Sequence, residues 1–330
     1  MAEITLFRSP DSTEFDTAFK DVAFRAFPEK GRIALKLHMG EGKVHHFDEN
    51  LAGHCVSLLK ELGYEPFLFD SPVMYSGDRS TPKGYLRLAA QNGFSEKSMG
   101  CDVAVSNQSE KVDGKYLTIG VCRDLIDADG VLVLSHFKGH PCSGAAGALK
   151  NLGMGGVDRE SKTAMHAGSK AVLTGDCDGC GECVEGCPGS ALKVSKTVQI
   201  NSGACWGCGR CIDVCPQGAL ESEEAGFDAL LIDGAAAVLS RLSKILYIND
   251  ARKITRLCDC CRDAGPNVAP DVGVFLGSDP VAIDQASTDL AIQAAGKDVF
   301  FEEHGRNPYG HVREAETRGL GSTKYRLAER

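Results

Sequence analysis

Along the chain, short apolar runs rich in β-branched residues alternate with longer stretches whose apolar positions recur every three or four residues. The run RIALKLH at 32–38 predicts a strand, the segment from about 48 to 62 a helix with Asp48 as its N-cap, and EPFLFDS a second strand. A helix near 82–92 with Pro82 in its first turn follows, then a strand at 102–107, a short helix at 122–127 and the strand VLVLS at 131–135. The same alternation resumes late in the chain. There GFDALLIDGAAAVLSRLS reads as a helix, KILYIND and DVGVFLGS (271–278) as strands, and a last helix starts at Asp279 and Pro280. Strands and helices in this order predict an α/β fold, a mostly parallel sheet with helices on both faces.

Between the two alternating regions the pattern breaks. Eight of the 15 cysteines fall between 177 and 215, and CDGCGECVEGCPGSAL (177–192) repeats as CWGCGRCIDVCPQGAL (205–220) at an offset of 28 residues. The expected organisation is an α/β domain over 1–173 and 223–330, interrupted by a small α+β module at 174–222. Two separate domains on either side are the alternative, but the C-terminal part holds few strands for a sheet of its own.

Each copy of the repeat reads C-x2-C-x2-C-x3-C-P. Three thiolates two residues apart can wrap a tight loop around three corners of an iron–sulfur cube, with Gly179, Gly181, Gly207 and Gly209 permitting close backbone approach. Structural zinc is the competing reading, although a zinc site asks for neither the third C-x2-C step nor a proline at both matching positions. The repeat resembles a bacterial-type two-cluster 4Fe-4S ferredoxin, a likeness covering about residues 174–222. That resemblance implies crossed ligation: Cys177, Cys180, Cys183 and Cys215 for one cluster, Cys205, Cys208, Cys211 and Cys187 for the other.

Composition narrows the partners. A formal charge of −9 without a basic block argues against nucleic acid. At 43% hydrophobic the chain can bury a sizeable core, and its cysteine content is too low for a disulfide-stapled scaffold. No run of about 18 apolar residues could span a bilayer, and the first residues do not read as a secretory signal, so a cytoplasmic protein without membrane insertion is expected.

Ligands of open parallel sheets collect beyond the carboxyl ends of the strands. Three predicted strand ends carry chemistry: Lys36 and His38; the stretch SHFKGHPCSGAAGALKNLGMGG with His136, Lys138, His140 and Cys142; and Asp279. Ser143, Gly144 and Gly147 read as the start of a helix whose free N–H groups could meet an anion. Asp284 reads as a solvated helix face and Trp206 as a shield for its cluster loop. The CDCC at 258–261 has two readings. Cys258, Cys260 and Cys261 could hold a further metal or cluster with Cys142 as an outside ligand, or pack as small apolar thiols.

Taken together, KLHMGE, SHFKGHPCSGAAGALKNLGMGG, CDCC and GVFLGSDPVAIDQAS resemble the DUF362 family of iron–sulfur centre proteins, over nearly the whole chain. The resemblance implies the fold and the clusters, and marks Lys36, His38, His136, Lys138, His140, Cys142, Lys150, Asn151 and Asp279 as a site; it names no substrate. The expected function is an oxidoreductase in which two 4Fe-4S clusters relay single electrons to a small anionic substrate or a metal site at the carboxyl edge of the sheet, with a redox protein partner as electron donor or acceptor and His136 or His140 as proton donor. A non-catalytic electron-transfer or redox-sensing subunit that docks a partner enzyme, and a metal-handling protein using CDCC, are the alternatives.

Overall fold

The computed structural model describes residues 1–42, 46–261 and 263–330. Eight strands form one sheet: β1 (Ala2–Phe7), β2 (Arg32–Leu37), β3 (Glu65–Asp70), β4 (Val103–Val105), β5 (Gly130–His136), β6 (Ile245–Ala251), β7 (Gly273–Gly277) and β8 (Tyr325–Glu329). Their order is β8-β1-β7-β6-β5-β2-β3-β4. All neighbours run parallel except β7, which is antiparallel to both β1 and β6. The fold is therefore α/β with a mostly parallel sheet, and its strands come from both sides of the 174–222 segment.

Successive residues of a strand point to opposite faces, and each face buries its own core. Leu132, Leu134, Leu246 and Ile248 pack against α1 (Thr13–Ala26), α2 (Glu49–Glu61) and α3 (Pro82–Gln91) through Phe15, Phe19, Leu51, Val56 and Tyr85. Val131, Val133, Tyr247 and Phe275 pack against α4 (Ala148–Gly155), α5 (Arg159–Gly168), α6 (Phe227–Leu239) and α7 (Pro280–Ala295) through Leu152, Met165, Leu230 and Ala282. Each such side chain contributes roughly 1.5–3 kcal/mol by leaving water. Helices thus cover both faces. Asp48 caps α2 by accepting from Asn50 and Leu51 N–H, and Thr81 caps α3 with Pro82 at its first position.

Two local expectations are corrected. The antiparallel course of β7 carries its carboxyl end to the opposite edge of the sheet from those of β2, β5 and β6. Asp279 therefore stands away from the ligand edge, where it caps α7 and accepts from Ser322 N–H. Residues 138–146 form an antiparallel hairpin, Lys138–His140 paired with Gly144–Ala146, and α4 begins only at Ala148.

Within the 174–222 segment the repeat is visible in the backbone. Two four-residue helices, Glu182–Glu185 and Arg210–Asp213, each follow a glycine in the left-handed region, Gly181 at φ 87° and Gly209 at φ 77°. A hairpin (Leu192–Val194 with Val198–Ile200) and a closing pair (Ala171–Leu173 with Leu220–Ser222) complete it. Ala171, Leu192, Val198 and Leu220 bury with Cys183 and Cys211 in a separate small core. Among the described residues no helix is long and apolar enough to cross a membrane.

Candidate functional site

The carboxyl ends of β2, β3 and β5 open onto a cleft of about 220 Å³. Lys36, His38, His136, Lys138, His140, Lys150 and Asn151 all line it, with Cys260 of the CDCC segment beside them. Asp70, Arg79, Lys162 and His166 also line it and were missed by the sequence reading. Asp70 ends a predicted strand, so the strand-end rule could have found it. Lys162 lies one helical turn from Met165 on the buried side of α5, a spacing that was there to be read.

Several of these groups are fully engaged with the protein. Lys36 Nζ donates to Asn151 Oδ1 (2.7 Å) and pairs with Asp70 (3.0 Å), while Asn151 Nδ2 donates to Leu134 O (2.8 Å). Burial lowers the Lys36 pKa, against the pull of Asp70. Asp70 also lies near Arg79 (3.6 Å), which pairs with Glu41 (3.1 Å), and it accepts from Tyr85 Oη. Gly155 is required here, since a Cβ at that position would run into Lys36 Nζ.

Asp259, the acid inside CDCC, is fully buried and clamps the segment to the end of β5. It meets His136 Nδ1 at 2.9 Å and Lys138 Nζ at 3.0 Å, while His136 Nε2 faces the carbonyls of Arg252 (3.1 Å) and Lys253 (3.2 Å). Burial disfavours the charged imidazole, but Asp259 outweighs it and raises the His136 pKa above its ordinary value. With both ring nitrogens committed to acceptors, His136 is a structural cation. The expectation that it donates a proton to substrate is corrected: its protons are already held by Asp259 and two backbone carbonyls.

His38 and His140 are arranged differently. Gly40 N–H donates to His38 Nδ1 (3.1 Å) and Cys142 N–H to His140 Nδ1 (3.2 Å), so in each neutral ring the proton sits on Nε2. Burial drives both pKa values well below the ordinary range, with Arg79 adding at His38 and Lys150 at His140. Both are thus neutral N–H donors, and the buried Nε2 of His38 has no partner among the described residues. The His140 ring stacks on Phe227 at 5.5 Å, and His166, pushed down to about 4 by burial and Lys150, tilts against the same ring. Neutral imidazole donors of this kind can stabilise an oxyanion without first losing a proton.

Two lysines remain. Lys150 Nζ donates to Cys258 Sγ (3.3 Å), and Lys162 Nζ to Pro72 O (2.7 Å) and to Ser71 Oγ and O (2.7 and 3.2 Å). Burial, partly offset by Asp70, lowers the Lys162 pKa to about 8. The expected free helix start is corrected as well. Asp284 of α7 accepts from Ala148 N–H (2.7 Å) and Leu149 N–H (2.9 Å), so the protein supplies its own anion there. Asp284 is fully buried rather than solvated, and a Cβ on Gly147 would collide with it.

The eight repeat cysteines line two cavities. One is walled by Cys177, Cys180, Cys183 and Cys215, the other by Cys187, Cys205, Cys208 and Cys211 together with Trp206. Fourth cysteine and first three cross between the copies. Ala191 N–H donates to Cys187 Sγ and Ala219 N–H to Cys215 Sγ, both at 3.3 Å, so even this bond repeats at the 28-residue offset. Trp206 is 45% exposed; its carbonyl accepts from Cys142 Sγ at 3.7 Å, which joins the second cysteine loop to the hairpin beside the cleft. Cys142 is thereby turned to Trp206. No three His, Cys, Asp or Glu side chains among the described residues gather as one metal ion would require, CDCC with Cys142 included.

A family described as Domain of unknown function (DUF362) matches residues 33–289. No curated protein matches the chain by sequence. Among solved structures, the lactate racemase apoprotein from Thermoanaerobacterium thermosaccharolyticum is similar at 10% identity and a TM-score of 0.40, over 76% of this chain and 50% of that one. A crystal structure of a protein from Thermotoga maritima is similar at 9% identity and a TM-score of 0.49, over 88% of this chain and 60% of that one. The chain thus spans between half and three fifths of the length of these structures.

Proposed function

The chain belongs to the DUF362 family, and from that premise we propose that it is an iron–sulfur oxidoreductase, with two 4Fe-4S clusters in the crossed cysteine cavities and a substrate cleft at the carboxyl edge of the sheet. The crossed lining of the two cavities carries this reading. A single zinc at a Zn–S distance of about 2.3 Å would draw its thiolates together around one point. Here four thiols stand around a void, with backbone N–H groups aimed at Cys187 and Cys215 and left-handed glycines bringing the chain close. Bound there, the clusters would supply single electrons.

The chain's own residues would do the rest. Cys142 and Trp206 link the second cavity to the cleft; Lys150 and Lys162 would hold a ligand; and His38 and His140 would donate hydrogen bonds to charge developing on it. Leu173, Trp206 and Val214 are large exposed apolar side chains on or beside the module, and such side chains fit a redox protein partner docking near the clusters. The same side chains favour a second reading, a carrier that passes electrons to its partner without chemistry in the cleft.

Anaerobic purification followed by iron and acid-labile sulfide analysis tests the proposal. About eight of each per chain are expected. Zinc without iron after such handling would overturn it.

A further inference from the structure

We propose that the cleft binds a small organic dianion, its two acid groups held at Lys150 and Lys162 and its apolar body lying between them. This inference rests on the cleft being a substrate site and names the ligand class. The charge inventory supplies the first argument. Lys36, Arg79 and Lys138 are matched by Asp70, Glu41 and Asp259 at 3.0–3.1 Å. Lys150 and Lys162 make no carboxylate contact among the described residues; a thiol and neutral oxygens are what they meet. Lys162 is only 6% exposed, and the Asp70 carboxylate that favours its charged form is already paired with Lys36, so the buried ammonium is under-compensated, a cost that a bound anion would offset.

The second argument is independent of charge. His38 Nε2 is a buried donor with no acceptor among the described residues, and His140 is fixed in the same tautomer by Cys142 N–H. Buried donors are nearly always satisfied, and a ligand oxygen would satisfy them here. Val73, Leu134, Met154 and Phe227 give the cleft an apolar stretch of wall. At about 220 Å³ the cleft is smaller than the roughly 300–1,000 Å³ of drug-sized sites, so the ligand is a compact metabolite rather than a dinucleotide. Lys150 stands beside CDCC and Lys162 beside the 71–72 backbone after β3, so the two ammonium groups belong to different parts of the cleft lining.

The test is anaerobic titration calorimetry on the purified protein with its clusters in place. The probes are glutarate, 3-phosphonopropionate, pentanoate and inorganic phosphate. At least one of the first two is expected to bind about tenfold or more tighter than pentanoate, which is about 1.4 kcal/mol, and the tighter one shows whether the second acid is a carboxylate or a phosphate-type group. K150M and K162M should each bring that probe to within about threefold of pentanoate while pentanoate, needing one ammonium, changes less. K150Q and K162Q serve if the methionine variants do not fold, and the wild-type ratio decides in any case. The inference is overturned if neither dianion outbinds pentanoate, if no probe binds, if inorganic phosphate alone matches the dianions, or if both lysine replacements leave the ratio unchanged. Iron content of the same samples separates the two claims. Lost selectivity with iron present refutes the ligand class alone, and missing iron refutes the redox reading whatever binds.

Discussion

Replacing Asp259 with asparagine probes the clamp that fixes CDCC against the sheet. The wild-type carboxylate is fully buried and holds two cations, His136 Nδ1 at 2.9 Å and Lys138 Nζ at 3.0 Å. Removing one partner from a buried ion pair costs about 3–5 kcal/mol, because the remaining charge is left uncompensated. His136 can escape that cost by losing its proton, so the low end, about 3 kcal/mol, is expected near neutral pH. That is a large share of a typical total stability of 5–15 kcal/mol. The sign with pH follows from the two shifts. His136 is raised, so its contribution is full below about 6.5 and fades as pH rises through the folded value. Asp259 is held well below 3.8, mainly against burial by His136 and Lys138, so its contribution is lost only as pH falls through that depressed value. The D259N penalty should therefore be greatest on the acid side of neutrality and shrink toward alkaline pH. Urea denaturation of D259N and wild type across pH 5–9, with NMR titration of His136, measures both quantities. A difference within about 0.5 kcal/mol at every pH, with the His136 titration unmoved, would refute the clamp.

Other consequences follow from single contacts. Gly147→Ala places a methyl against Asp284 and Asn249 and should cost about 1–3 kcal/mol in urea denaturation, whereas Gly53→Ala, whose nearest neighbour is Met99 Cε at 3.9 Å, should be neutral or stabilise by up to about 1 kcal/mol. Lys162, lowered to about 8 from 10.5, binds fewer protons folded than unfolded across that window. Wild-type stability should therefore gain on K162M by up to about 3 kcal/mol between pH 7.5 and 10, and parallel pH profiles would contradict the burial of that ammonium. Asp284, raised to about 6 chiefly by burial, works oppositely: between pH 4 and 6.5 the folded state holds the extra proton, so stability should fall with rising pH in wild type and not in D284N, as thermal melts at the two pH values would show.

The sheet was legible where strand and helix alternate strictly, from β2 to β5, because those strands are buried on both faces and read as continuous apolar runs. Its outer edge was not. β1 pairs with the antiparallel β7 on one side and with β8 on the other, and β8 is a partly exposed five-residue edge strand with weak apolar signal. Strand direction leaves no mark in a short apolar run, which is why Asp279 was assigned to the wrong edge. Convergence of Lys36, His38, Lys138 and His140 could be anticipated because parallel neighbours bring their carboxyl ends together. What each residue does there could not. His136 and His140 are four residues apart in one segment, yet Asp259, 123 residues beyond His136, makes one a fixed cation, while Cys142 N–H leaves the other a neutral donor. In the repeat, by contrast, the 28-residue offset visible in the sequence recurs in the backbone, with the same left-handed glycines and N–H···S bonds in both copies.

Two clusters held by crossed sets of cysteines are the centre of this account, and iron counting in paired variants tests them most directly. C215A should retain about four irons per chain, and C183A/C215A should retain the same four, because both residues serve one cluster. C208A/C215A should retain none. If C208A/C215A instead keeps about four irons while C183A/C215A loses all, Cys215 belongs with the second set and the crossed arrangement is wrong; if the unaltered protein holds no iron, the cluster reading itself fails.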